Sequence, residues 1–347
     1  MTSKPVSIAP SNQDRPALRR RACRADLTFL LACVAITILP TLGCSTFSKK
    51  QIEAQYSPSE GILEIVAVLR RHVPDNTYRF PPASDFSGRN VYRASLLRLE
   101  SLERAEVNAM RSGYMDDVIA FAKARALERL RAFDLAAQQY RESARLSIEL
   151  GPVALESALI CEQIDRAIKI GIDLGDPFAE VGVEPLALDT SRVRMGLDER
   201  IAQLTRLLEE VRDDHYRWIV QEEIERADWI RAEYAVAIRS VVRDGTLLAL
   251  QELQRVVTRH GASKNRLQHL LRLADFYATL GREYLAAVPP ESLSFDPARF
   301  RELFDAAIQL YELVASHDGR PEKLVATRNL EAFLALTLSI DADRFDR

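Results

Sequence analysis

From Val91 to about Val242 the apolar residues recur at helical spacing, and no run alternates apolar with polar long enough to make a strand. That single period restricts the chain to an all-α architecture, because each amphipathic helix must bury its apolar stripe against another helix. The pattern breaks near 113, 133, 150 and 172–190, which divides it into segments of ordinary helix length. Composition agrees. Ala, Leu, Arg and Glu dominate, and only 13 of the 347 residues are glycine.

A first helix is expected from Ser57, with Pro58 in the first turn and Glu60 placed for a capping box, running to a stop before Pro74. "DNTYRFPPASDFSGRN", 75–90, is loop by composition, since Pro81-Pro82 and Gly88 break any helix. "IDLGDPFAEVGVEPLALDTS", 172–191, reads as a linker or crossover between an N-terminal helical region, 57–171, and a C-terminal one, 192–343. Residues 192–242 look like one very long helix or two, with the break expected near Asp213-Asp214.

Within this helical body, small and large residues recur as Ala124, Leu127, Ala136, Tyr140 and Ser143. A second set, Tyr277, Leu280, Gly281 and Tyr284, is followed by Ala307, Tyr311 and Val314, with "VPPESLSFDPARF" inserted between them. A weaker third set is Ala249, Leu253, Val256 and Gly261. These offsets resemble the tetratricopeptide repeat, although Ala120 and Lys123 stand at its aromatic and Leu positions. The resemblance implies a solenoid of antiparallel helix pairs presenting a concave binding surface. An irregular helical bundle is the alternative, in which the same Ala and Tyr residues are simply core.

The N-terminus is of another kind. "RPALRRRACRAD" is basic, and "LTFLLACVAITILPTLG" follows as 17 residues without a charge. A transmembrane anchor needs ~20 apolar residues, and Pro40 sits badly near the end of a short one. An ordinary secretory signal would carry a similar run and a small-residue cleavage site. "TLGCS" resembles a bacterial lipobox, with Gly43 directly before Cys44 and Thr41 where that pattern prefers Leu. The resemblance implies removal of residues 1–43, a lipid on Cys44, and membrane attachment through two or more acyl chains. Ser45 in second place resembles an outer-membrane sorting signal, which implies a periplasm-facing protein. All three readings put the body outside the cytoplasm. Residues 44–56 then read as a short polar tether.

Residues 1–43 hold six basic and two acidic residues, so the chain from Cys44 onward carries a net charge of −7. A body of that sign has no electrostatic footprint for nucleic acid. Cys23 and Cys33 lie in the leader and Cys44 is the acylation candidate, which leaves Cys161 without a disulfide partner. Its position with Leu155, Ala158 and Ile164 on an apolar face marks a buried thiol acting as a small hydrophobe.

Two constellations compete as binding sites. The loop 75–90 concentrates Tyr78, Phe80 and Phe86 with Arg79 and Arg89, residue types enriched at interface hot spots. Structurally, the same aromatics would seal one end of the helical stack. The other constellation is His215, Glu222 and Arg226 on one helical stripe, flanked by Trp218 and Trp229 eleven residues apart. Read functionally, this is a polar pocket between two indoles. Read structurally, Glu222 and Arg226 are an i,i+4 pair on a partly solvated face, and His215 lies at a helix break.

No Glu-x-x-His or His-x-x-x-His pair, phosphate loop or nucleophile elbow occurs, so neither metal nor cofactor is expected. The function expected from the whole is a non-catalytic, lipid-anchored envelope adaptor that binds a protein or peptide partner. The alternative is a helical-toroid enzyme or small-molecule binder using the His215–Glu222–Arg226 pocket.

Overall fold

The computed structural model describes residues 57–72, 91–105, 115–171 and 190–345. These residues form eleven α-helices and, among them, no strand. In chain order they are α1 (Ser57–His72), α2 (Val91–Ala105), α3 (Asp116–Arg129), α4 (Phe133–Leu146), α5 (Gly151–Ile168) and α6 (Thr190–Glu210). They continue as α7 (Asp214–Ala237), α8 (Gly245–Arg259), α9 (Arg266–Ala287), α10 (Pro297–Ala315) and α11 (Pro321–Phe345). Each packs chiefly on its neighbours in sequence, with further contacts between next-but-one helices such as α1 and α3, α5 and α7, and α9 and α11. Most of the expected crossover 172–191 lies outside the described residues; α6 has already begun at Thr190.

The turns show why the helices stop where they do. Arg131 adopts φ 62°, a left-handed turn that reverses the chain in three residues between α3 and α4. Val211 to Asp213 separate α6 from α7, where a break was expected, and the Asp213 carboxylate accepts from the His215 amide at 2.9 Å as N-cap. At α10, Asp296 accepts from the amides of Ala298 and Arg299 ahead of Pro297, and the Tyr284 hydroxyl accepts from the Asp296 amide at 2.7 Å. Tyr284 thus ties down the insertion that separates α9 from α10.

Close approach depends on small residues. Ala124 and Ala136 are wholly buried where α3 meets α4, together with Tyr140 and Ser143. The same holds for Ala307, Tyr311 and Val314 of α10 against α9. Phe304 and Phe333 stack there with ring centroids 3.8 Å apart. The closest approach is at Gly245, the first residue of α8, where a Cβ would stand 2.2 Å from the carbonyl oxygen of Arg239. Backbone cannot yield as a side chain does. Gly245→Ala is expected to lower stability by about 1–3 kcal/mol, read as an earlier urea midpoint; an unchanged midpoint would show that α8 starts differently.

α7 is the most deeply enclosed of the described helices. From Glu223 to Ala232 every residue is buried, including Glu223, Glu225, Arg226, Asp228 and Arg231. A helix enclosed on all sides is normally apolar, so these charges require partners on the helices around them. Among the described residues no helix is long and apolar enough to cross a membrane.

Candidate functional site

Three buried carboxylates organise the ionic interior. The first is Glu128 on α3. It accepts hydrogen bonds from Tyr140 of α4 at 2.8 Å, from Tyr216 of α7 at 3.2 Å and from Arg125 at 3.1 Å. His215 Nε2 closes on Oε1, the oxygen Arg125 also uses, and the Cys161 thiol of α5 approaches Oε2, the oxygen of the two tyrosines, at 3.8 Å. Burial by itself would push this carboxyl up. Arg125 and His215, with the hydrogen bonds from His215 and Tyr140, outweigh it and hold the group at about 2. The same surroundings push the Tyr140 and Tyr216 hydroxyls and the Cys161 thiol up, through burial first and the Glu128 charge second. All three stay protonated as donors, so Cys161 is no nucleophile at neutral pH.

The second is Asp228 of α7, fully buried. It accepts from Arg231 at 3.2 Å and from Arg255, Arg259 and His260 at 2.9 Å each, which joins α7 to α8 and to the turn beyond it. The third is Glu225, one turn away. It accepts from His269 of α9 at 2.5 Å and from Ser263 at 2.6 Å. Burial raises this carboxyl, and the bonds from His269 and Ser263 bring it below the usual range. Glu223, on the opposite side of α7, takes a two-point ion pair from Arg131 at 2.7 and 2.9 Å.

These networks rearrange the expected constellation. His215 sits in the first turn of α7, as expected of a helix break, but is committed to Glu128. Glu222 binds Arg129 at 3.4 Å and Lys264 at 2.8 Å, bridging α3 and the turn before α9. Arg226 is buried and helps Arg131 hold the Glu223 carboxyl down against burial. The face expected to be partly solvated is so at Glu222, whose side chain is 19% exposed, and is interior from Glu223 onward, where Arg226 lies.

The two indoles part company as well. Trp218 is 51% exposed whereas Trp229 is 5% exposed and packs on His269, ring centroids 4.6 Å apart. Eleven residues do return to the same side of the helix. What differs is the cover, which α8 and α9 supply at Trp229 but not at Trp218.

Trp218 borders two cavities. One, of about 620 Å³, is walled by Val66 and Leu69 of α1 and by Val118, Phe121 and Ala122 of α3, with Arg125 and His215 beside them. The Arg125 guanidinium lies within 6 Å of the ring centroids of Phe121, Tyr140 and Tyr216. The other, of about 660 Å³, is more polar and includes Arg259, His260, Ser263, Lys264 and Arg320. Of these two cavities His215 lines the first and Glu222 the second, and Arg226 meets Glu222 only at a small pocket of about 20 Å³, so the sequence-derived pocket is not one cavity. Among the described residues no cluster of His, Cys, Asp or Glu has the geometry to hold a metal ion.

Cys44 and the loop residues Tyr78, Arg79, Phe80, Phe86 and Arg89 lie outside the described residues. Sequence reasoning missed Glu128, Asp228, Glu225, His260 and His269. A signal for the first was present: Ala120, Ala124 and Glu128 are spaced by four, which puts a carboxylate on a stripe of buried alanines. No protein-family model, no curated protein and no solved structure matches this chain.

Proposed function

We propose that the protein is a lipid-anchored adaptor of the bacterial cell envelope, non-catalytic, which grips a protein or peptide partner on a tetratricopeptide-like helical surface. The observation that carries this reading is Trp218, a half-exposed indole at the shared lip of two open cavities. Large aromatics left in solvent beside concavities are common anchors in protein recognition. The buried carboxylates near it are saturated by donors, which favours a scaffolding role for them over proton transfer.

The repeat reading is supported by Ala124, Ala136, Tyr140 and Ser143, which are buried where the motif requires small-large contacts. The anchor reading rests on Gly43-Cys44 and the short uncharged run before them, and Ser45 favours the outer membrane, facing the periplasm. No cofactor and no nucleic acid enters this function. The helical-toroid alternative loses support from the separation of His215 and Glu222 into different cavities.

Mass spectrometry of the membrane-bound protein is expected to find a lipid-modified N-terminus at Cys44, and Cys44→Ala to release the body or leave the precursor unprocessed. An intact peptide spanning Arg24–Cys44 would reject the anchor. Crosslinking in intact envelopes is expected to capture a specific protein partner through the exported body. Recovery of none would count against the adaptor.

A further inference from the structure

We propose that the two cavities flanking Trp218 form one groove for an extended peptide segment of the partner, carrying an apolar side chain and, a few residues away, an aspartate or glutamate. This rests on the adaptor reading and adds what the partner must contain. The first cavity is walled chiefly by apolar side chains, so an aliphatic or aromatic side chain entering it trades water for Val66, Leu69 and Phe121. Its one deep cation, Arg125, makes a single hydrogen bond, from Nη1 to Glu128, and its remaining donors meet no acceptor among the described residues. They are free to take a backbone carbonyl of an inserted segment.

The second cavity has the opposite chemistry. Its two glutamates are already engaged, Glu222 by Arg129 and Lys264 and Glu225 by His269 and Ser263. Its cations are only partly used. Arg259 gives one hydrogen bond to Asp228 through Nη1, and the side chain of Arg320, exposed just before α11, bonds to no described residue. A carboxylate entering there meets two guanidinium groups with donors to spare, which suits a planar two-point contact. Trp218 lines both cavities, so a chain passing from one to the other runs over its indole. An extended strand advances about 3.3 Å per residue, so a few residues span a single side chain's width.

The test uses the full chain in detergent micelles, panned against a phage-displayed library of random dodecapeptides. The most enriched sequence is then synthesised with a fluorescent label and titrated by anisotropy. Enriched sequences are expected to share an apolar residue and a nearby acid. Affinity is expected to fall about tenfold or more in Trp218→Ala and in Arg320→Glu. Both side chains are exposed, so thermal midpoints should stay near that of the parent protein. Changing the acid of the peptide to lysine should restore binding to Arg320→Glu, a recovery that general loss of structure would not produce.

Enriched sequences without a shared acid, or equal affinity in both variants, would overturn the groove and leave the adaptor standing. Absence of enrichment alongside a crosslinked partner would also overturn the groove alone. Absence of any crosslinked partner bears on the adaptor reading instead.

Discussion

Glu128→Ala is expected to cost the protein about 3–5 kcal/mol, the usual penalty for removing one member of a buried charged cluster. The variant leaves Arg125, His215, Tyr140 and Tyr216 facing a void from three helices, each having lost the acceptor that offset its burial. Glu128→Gln keeps the shape and one acceptor, so a smaller loss of about 1–3 kcal/mol is expected. Its pH dependence is the sharper test. Glutamate titrates near 4.5 when unfolded and at about 2 here, so the folded state binds this proton less readily. The stabilisation is present above pH 4.5 and is lost as pH falls toward 2, on the order of 3 kcal/mol in total. Glu225 and Glu223 are held low too and add to the acid loss of the parent protein. Urea midpoints at pH 6 and pH 3 should therefore differ less in Glu128→Gln than in the parent. Equal differences would mean that Glu128 is not an ionised anchor.

The second large effect is expected at Asp228. Three arginines and a histidine converge on it, and without it Arg231, Arg255 and Arg259 repel one another around a buried gap. Asp228→Ala should lower stability by about 3–5 kcal/mol and loosen the α7–α8 contact first, read as faster amide exchange along α8. Arg255→Ala and Arg259→Ala remove side chains that are 41% and 38% exposed, and each should cost less than about 1 kcal/mol. If the single arginine variants proved as damaging as Asp228→Ala, the carboxylate would not be the hub.

Much of the helical layout was legible before any coordinates. The breaks near 133, 150 and 213 fall where the sequence period lapses, and at 213 local chemistry adds the Asp213 cap. The buried faces of α4, α8 and α10 were equally readable, because burial there follows a stripe. α7 defeated that reasoning. Its charges occur all round the helix, and on spacing alone Glu222 and Arg226 look like a solvated i,i+4 pair. Yet Tyr216, Val220, Ile224, Asp228 and Ala232 run at four-residue steps along one buried line, and Asp228 stands within it. An acid in an otherwise apolar stripe was the available clue.

His260 and His269 carried no such clue. Their partners, Asp228 and Glu225, lie more than thirty residues away in the chain. Helical period is a property of near neighbours, and so the sequence alone determined an all-α body, its turns and which faces are apolar. Which charges meet, why one of two tryptophans on the same side of α7 is buried and the other not, and where the cavities open all depend on helices distant in sequence. Those contacts exist only once the chain has packed, and no local spacing encodes them.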